Sequence, residues 1–147
     1  MVRCRGDSQM ERPEEVVLDA SVVVKWFSEE EGTDRAVSLR DEHIQGKRTI
    51  VAPDLLVYEV ENALRFRPGL GPDEATKAIE CLFDIQLDLI TPSKELLKKS
   101  AQHAFRYGIT IYDSCYLALA DFLGAYIITA DTQTFKRAKK CGFIRLL

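Results

Sequence analysis

Two hydrophobic patterns alternate along this chain. Unbroken apolar runs of about four residues are separated by longer stretches in which apolar positions recur every three or four residues. The runs are rich in β-branched residues and bounded by turn formers, which predicts strands over 16–19, 49–52 and 126–129. A weaker apolar segment at 87–90 precedes Thr91-Pro92, and 143–146 reads as an edge strand. The periodic stretches predict helices over 21–27, 33–45, 54–66, 73–86, 94–107, 112–122 and 132–141. Ser21 and Ser93 are the expected caps, and Gly46, Gly108, Gly124 and Gly142 the stops. In the fourth helix Ala75, Ala78, Ile79, Leu82 and Phe83 share a face, and in the fifth Leu96, Leu97, Ala101, Ala104 and Phe105 are the apolar positions.

Strands alternating with helices imply one α/β domain: three layers, α/β/α, around a central, mostly parallel sheet of four to five strands. Residues 1–15 are polar and irregular, predicting a flexible N-terminal lead in which Met10 offers a second start; residues 16–147 form the domain. No apolar run approaches the ~20 residues that cross a bilayer, and the first residues lack the apolar centre of a secretion signal. The four cysteines, at 4, 81, 115 and 141, form no C-x-x-C pair, so a zinc knuckle or disulfide framework is not indicated. A cytoplasmic protein with reduced thiols is expected, with Cys81 and Cys115 in the core.

Charge changes the picture little. With 20 basic and 23 acidic residues the net charge is -3, unlike a dedicated high-affinity nucleic-acid binder. The basic run Lys136-Arg137-Ala138-Lys139-Lys140 reads as a solvated helix face. His43 and His103 fall in helical stretches, are expected to be exposed, and do not make an acid–base pair.

Candidate chemistry resides in four acids placed where strands end or helices begin: Asp19, Glu59, Asp113 and Asp131. No Lys or Arg neighbours them in sequence, and carboxylates beside apolar strands cost several kcal/mol unless paired or bound to a cation. In parallel sheets, sites form at the carboxyl ends of strands, so the four can meet at one rim. Helix capping is the competing explanation for Asp113 and Asp131. Glu61 competes with Glu59 on the same helix, and Asp121 is a further spare acid. A hard divalent cation is the economical explanation for the set.

Four segments then carry a resemblance. They are Leu18-Asp19-Ala20-Ser21; Glu59-x-x-Asn62-Ala63-Leu64; Tyr112-Asp113-Ser114-x-Tyr116-Leu117-Ala118-Leu119-Ala120; and Ile128-Thr129-Ala130-Asp131. In this order they resemble the motifs of PIN domains, above all the small VapC-type toxins of toxin–antitoxin pairs. No single motif is specific; the ordered set is. The N-terminal extension departs from that pattern.

The resemblance implies a Mg2+- or Mn2+-dependent endoribonuclease that leaves 5′-phosphate and 3′-hydroxyl ends. Asp19, Glu59, Asp113 and Asp131 would be both catalytic residues and metal ligands, with Ser21, Asn62 and Thr129 as polar supports; the Glu-x-x-Asn spacing favours Glu59 over Glu61. It also implies an RNA substrate, a cognate antitoxin and a homodimer. The apolar set Val22, Val23, Val24, Trp26 and Phe27 offers a surface for a second copy, unless the chain's own second helix covers Trp26.

Two other classes stand beside this reading. A non-catalytic module would use the acidic site only to bind a protein or RNA partner. A haloacid-dehalogenase-like phosphatase needs a second Asp two residues after Asp19, where Ser21 stands.

Overall fold

The computed structural model describes residues 12–147. Most of the expected N-terminal lead therefore lies outside the described residues, as does Cys4. Five strands form one sheet in the order β3-β2-β1-β4-β5, with every neighbouring pair parallel. They are β1 (Glu14–Leu18), β2 (Arg48–Pro53), β3 (Asp88–Ile90), β4 (Tyr126–Thr129) and β5 (Ile144–Leu146). β1 starts two residues before its apolar run, because Glu14 and Glu15 pair with Arg48 and Thr49 through backbone while their side chains stay in solvent.

The helices are α1 (Ala20–Val23), continued by a 3-10 turn at Val24–Trp26, α2 (Thr33–Ile44), α3 (Leu55–Arg65), α4 (Pro72–Asp84), α5 (Lys94–Tyr107), α6 (Ile111–Leu123) and α7 (Thr132–Ala138). By the right-handed rule for parallel crossovers, the connections from β1 to β3 place α1 to α4 over one face, and the return through β4 and β5 places α5 to α7 over the other. α6 packs on β1, β2 and β4 and is buried without interruption from Ser114 to Ala120. Val17, Leu18, Ile50 and Val51 are fully buried, the signature of strands covered on both faces.

Several apolar assignments change. Trp26 is buried, and its indole N–H donates to Ala36 O at 2.7 Å, so α2 covers it. Val22, Val23 and Val24 are buried too, so of the expected surface for a second copy only the half-buried Phe27 is left partly open. In α4 Ala78 and Leu82 are buried and Ile79 packs half-buried against the core, whereas Phe83 and Cys81 are exposed, as are Leu97 and Phe105 of α5. Cys115 is buried as expected. Lys136, Arg137, Lys139 and Lys140 do face solvent, with Ala138 alone buried.

Neither histidine is a free surface group. His43 Nδ1 accepts from Ile50 N and its Nε2–H donates to Gln86 O, each at 3.0 Å, pinning the turn where Gln86 takes φ of 58°. His103 Nε2 meets Asp121 Oδ2 at 2.8 Å, and Lys99 Nζ reaches the same oxygen at 3.0 Å. A second polar tie links Glu30 to Lys25 Nζ at 2.8 Å and to the Arg67 guanidinium, joining the end of the first helical segment to the loop before α4. Burial alone would raise the pKa of Glu30, but hydrogen bonds from Arg67, Lys25 and Ser28 outweigh it and hold the carboxyl down at about 2.

Candidate active site

β1 and β4 are neighbours, yet the chain leaves them in opposite directions across the sheet, to β2 and to β5. The crevice outside their carboxyl ends is the topological switch point, where open α/β sheets place ligands. Asp19 follows the last residue of β1, and Asp131 lies two residues past the last residue of β4. The Asp19 backbone N–H donates to Ile128 O at 3.4 Å, extending the ladder to the carboxylate itself.

Asp19, not Ser21, caps α1: its Oδ1 accepts from Ser21 N at 3.1 Å and from Ser21 Oγ at 2.5 Å. Ser21 Oγ in turn accepts from Ala130 N at 2.8 Å and lies 3.3 Å from Thr129 Oγ1. Thr129, fully buried, accepts from Asp131 N at 3.1 Å. The two hydroxyls thus stitch the β1 and β4 ends together. Asp19 is only 7% exposed, and that burial raises its pKa to about 6. Hydrogen bonds from Ser21, Thr129 and Val22 N pull the other way, while the Asp113 charge adds to the rise.

The other three acids surround Asp113. Thr110 caps α6, accepting from Asp113 N at 3.1 Å, so Asp113 is the third residue of the helix, in its first turn, and is not its cap. Its pKa is raised, first by burial and further by Asp131. Glu59 on α3 is half-buried, and its pKa is also raised, by burial and then by Asp113. Tyr116, buried one turn along α6 from Asp113, donates its hydroxyl to Glu59 Oε1 at 2.5 Å. Burial and the Glu59 charge keep that phenol protonated. Asp131 caps α7 through Gln133 N and Thr134 N, as the capping explanation expected. Thr134 Oγ1 lies 3.1 Å from Asp131 Oδ2 and 3.5 Å from Asp113 Oδ2, bridging two acids.

Asp113 is therefore the charge that Asp19 and Glu59 both feel, and it feels Asp131. No ion pair involves any of the four among the described residues. Glu61 is exposed on the wall of a neighbouring hollow, and Asp121 is taken by His103 and Lys99. Asn62 lies beside Glu59 in an exposed cleft and makes no side-chain hydrogen bond to the acids among the described residues. Tyr116 and Thr134 were missed by sequence reasoning; the Tyr116 partner lies 57 residues away.

Among the described residues no three His, Cys, Asp or Glu side chains stand close enough to close round one ion. The donor set still suits Mg2+ or Mn2+. It is made only of hard carboxylate oxygens, and Mg2+ takes one or two carboxylates and keeps several waters. Asp19, buried and lacking a cationic partner, is a carboxylate whose ionised form a bound cation would favour.

A parallel sheet with an acidic switch point and two hydroxyls joining β1 to β4 defines a class that comparison with known families makes explicit. The PIN domain family model matches residues 16–140, and the chain belongs to that family. Ribonuclease VapC3 of Pyrobaculum aerophilum is 33% identical over 122 residues, spanning 80% of this chain and 90% of its own. Solved structures share the fold at lower identity. VapC20 of Mycobacterium tuberculosis, described as a sarcin-ricin loop cleaving toxin, is 13% identical with a TM-score of 0.67, over 87% of this chain and 95% of its own. VapBC2 of Rickettsia felis, solved on a DNA fragment from its promoter, is 13% identical with a TM-score of 0.64, over 90% of this chain and 98% of that one.

Proposed function

We propose that this protein is a Mg2+- or Mn2+-dependent endoribonuclease acting in the cytoplasm as the toxin of a toxin–antitoxin pair. The observation that carries the reading is the approach of Asp19, Glu59, Asp113 and Asp131, from four separate segments, to one rim without a cationic side chain among them. The 33% identical relative named a ribonuclease supports it.

In this reading the four carboxylates line the metal site, and one or two of them at a time bind an ion that keeps several waters. Ser21 and Thr129 fix Asp19, Tyr116 fixes Glu59, and Thr134 spaces Asp113 from Asp131. A bound divalent ion supplies an acidified water and offsets charge on the phosphate. Proton transfer by histidine has no place, since His43 and His103 are engaged elsewhere.

Purified protein should cut single-stranded RNA in Mg2+ or Mn2+, stop in EDTA, and lose activity on Asp113→Asn. A protein that stays folded yet never cuts would be a binding module instead. An antitoxin and a homodimer complete the proposal; both rest on the likeness to VapC and VapBC proteins. Light scattering should give about twice the 16.7 kDa monomer mass, and a persistent monomer would remove the dimer.

A further inference from the structure

Two exposed tyrosines border the acidic rim. Tyr58 of α3 is 74% exposed and Tyr112, next to Asp113, is 61% exposed. Together they flank a cleft of about 250 Å3 that also holds Glu59 and Asn62. Tyr58 and Asn62 continue into a larger hollow of about 660 Å3 between α3 and α4, whose wall carries Glu61 and Arg65. Arg65 lies over the Phe66 ring at 5.2 Å and has no carboxylate partner among the described residues.

Leaving two large rings in water beside a polar cleft yields no folding gain. The chemistry assembled there is that of nucleotide recognition. Tyrosine faces stack on any base, an amide and a carboxylate meet base edges, and a guanidinium meets phosphate. Glu61 opposes a phosphate near it, and among the described residues Arg65 is the only cation lining the hollow.

We infer that Tyr58 and Tyr112 hold the nucleobases next to the scissile phosphate of a single-stranded RNA, with the strand continuing along the α3–α4 hollow past Arg65. This rests on the ribonuclease reading and adds the base-binding subsite to it. Because stacking is sequence-tolerant, this subsite selects unpaired bases and not a particular sequence.

The test uses a fluorescein-labelled single-stranded oligoribonucleotide, with anisotropy in EDTA and steady-state cleavage in Mn2+. Loss of one stacked base weakens binding about tenfold, so Tyr58→Ala should raise Kd and KM by about that factor with kcat within threefold. Tyr58→Phe, which keeps the ring, should match wild type. An abasic nucleotide at the stacked position should weaken wild type but cost Tyr58→Ala nothing more. Tyr112→Ala should behave like Tyr58→Ala.

Unchanged Kd and KM in both alanine variants would overturn the inference, even if the same variants weakened binding of a partner protein. Failure of wild type to cleave in Mg2+ and Mn2+ would remove the ribonuclease reading, whereas unchanged Kd in variants of an active enzyme would remove only this subsite.

Discussion

Asp19→Asn should inactivate the enzyme and stabilise the metal-free fold. Folding lifts the Asp19 carboxyl from about 3.8 to about 6. The native state then holds a proton that the unfolded chain releases, so stability falls as pH rises through this window. Below pH 3.8 the contribution is fully present; well above 6 it is lost. At about 1.4 kcal/mol per pKa unit, the ionised side chain costs on the order of 3 kcal/mol at pH 7.5. Asparagine keeps the Oδ1 acceptor for Ser21 N and Ser21 Oγ, while its charge is gone at every pH. In urea titrations with EDTA, the variant should exceed wild type by about 2–3 kcal/mol at pH 7.5. The gap should narrow at pH 4.5. Saturating Mn2+ should also narrow it, because an ion that needs the carboxylate stabilises only wild type. Equal stabilities at pH 7.5, or a gap independent of pH, would refute the burial argument.

Tyr116→Phe removes the hydroxyl that orients Glu59 from a buried position. Cleavage should weaken about tenfold at limiting Mn2+ and recover partly at high Mn2+, with the fold losing only about 1 kcal/mol; recovery would be absent if Tyr116 merely packed. Glu30→Gln discards the tie to Lys25 and Arg67. The Glu30 carboxyl is depressed from 4.5 to about 2, so its contribution is present above pH 4.5 and lost as pH falls towards 2. The side chain is partly solvated, so the loss at pH 7 should be about 1–2 kcal/mol, with a flatter acid limb in chemical unfolding; an acid limb identical to wild type would contradict it.

What was legible in the sequence follows from how far each signal reaches. β1, β2 and β4 stand out because a strand covered on both faces must be apolar at successive positions. Glu14 and Glu15 were invisible as strand residues, since parallel pairing uses their backbone and leaves their side chains in water. Ser21 and Asp19 are both good caps two residues apart, and only the turn geometry, with Asp19 extended at ψ 175°, assigns the role. Helical periodicity located α4 and α5 but overestimated their buried faces, leaving Phe83 and Phe105 in solvent.

Site geometry divides along the same line. Asp19 and Asp131 were legible because charge at a strand end is anomalous locally, whereas Glu59, inside α3, was separated from Glu61 only by the Glu-x-x-Asn spacing of the family resemblance. Tyr116 and Thr134 look locally like core and helix-start residues, and their partners come from elsewhere in the chain. Asn62 shares a helix with Glu59, yet that alone did not bring its amide to the acids.

A crystal grown with Mn2+ and measured at an anomalous wavelength tests the central claim most directly. The account predicts an anomalous peak at the carboxyl ends of β1 and β4, within ligand distance of Asp113 and at least one of Asp19, Glu59 and Asp131, and no such peak in Asp113→Asn. A well-ordered rim with no peak, or one unchanged by Asp113→Asn, would contradict it.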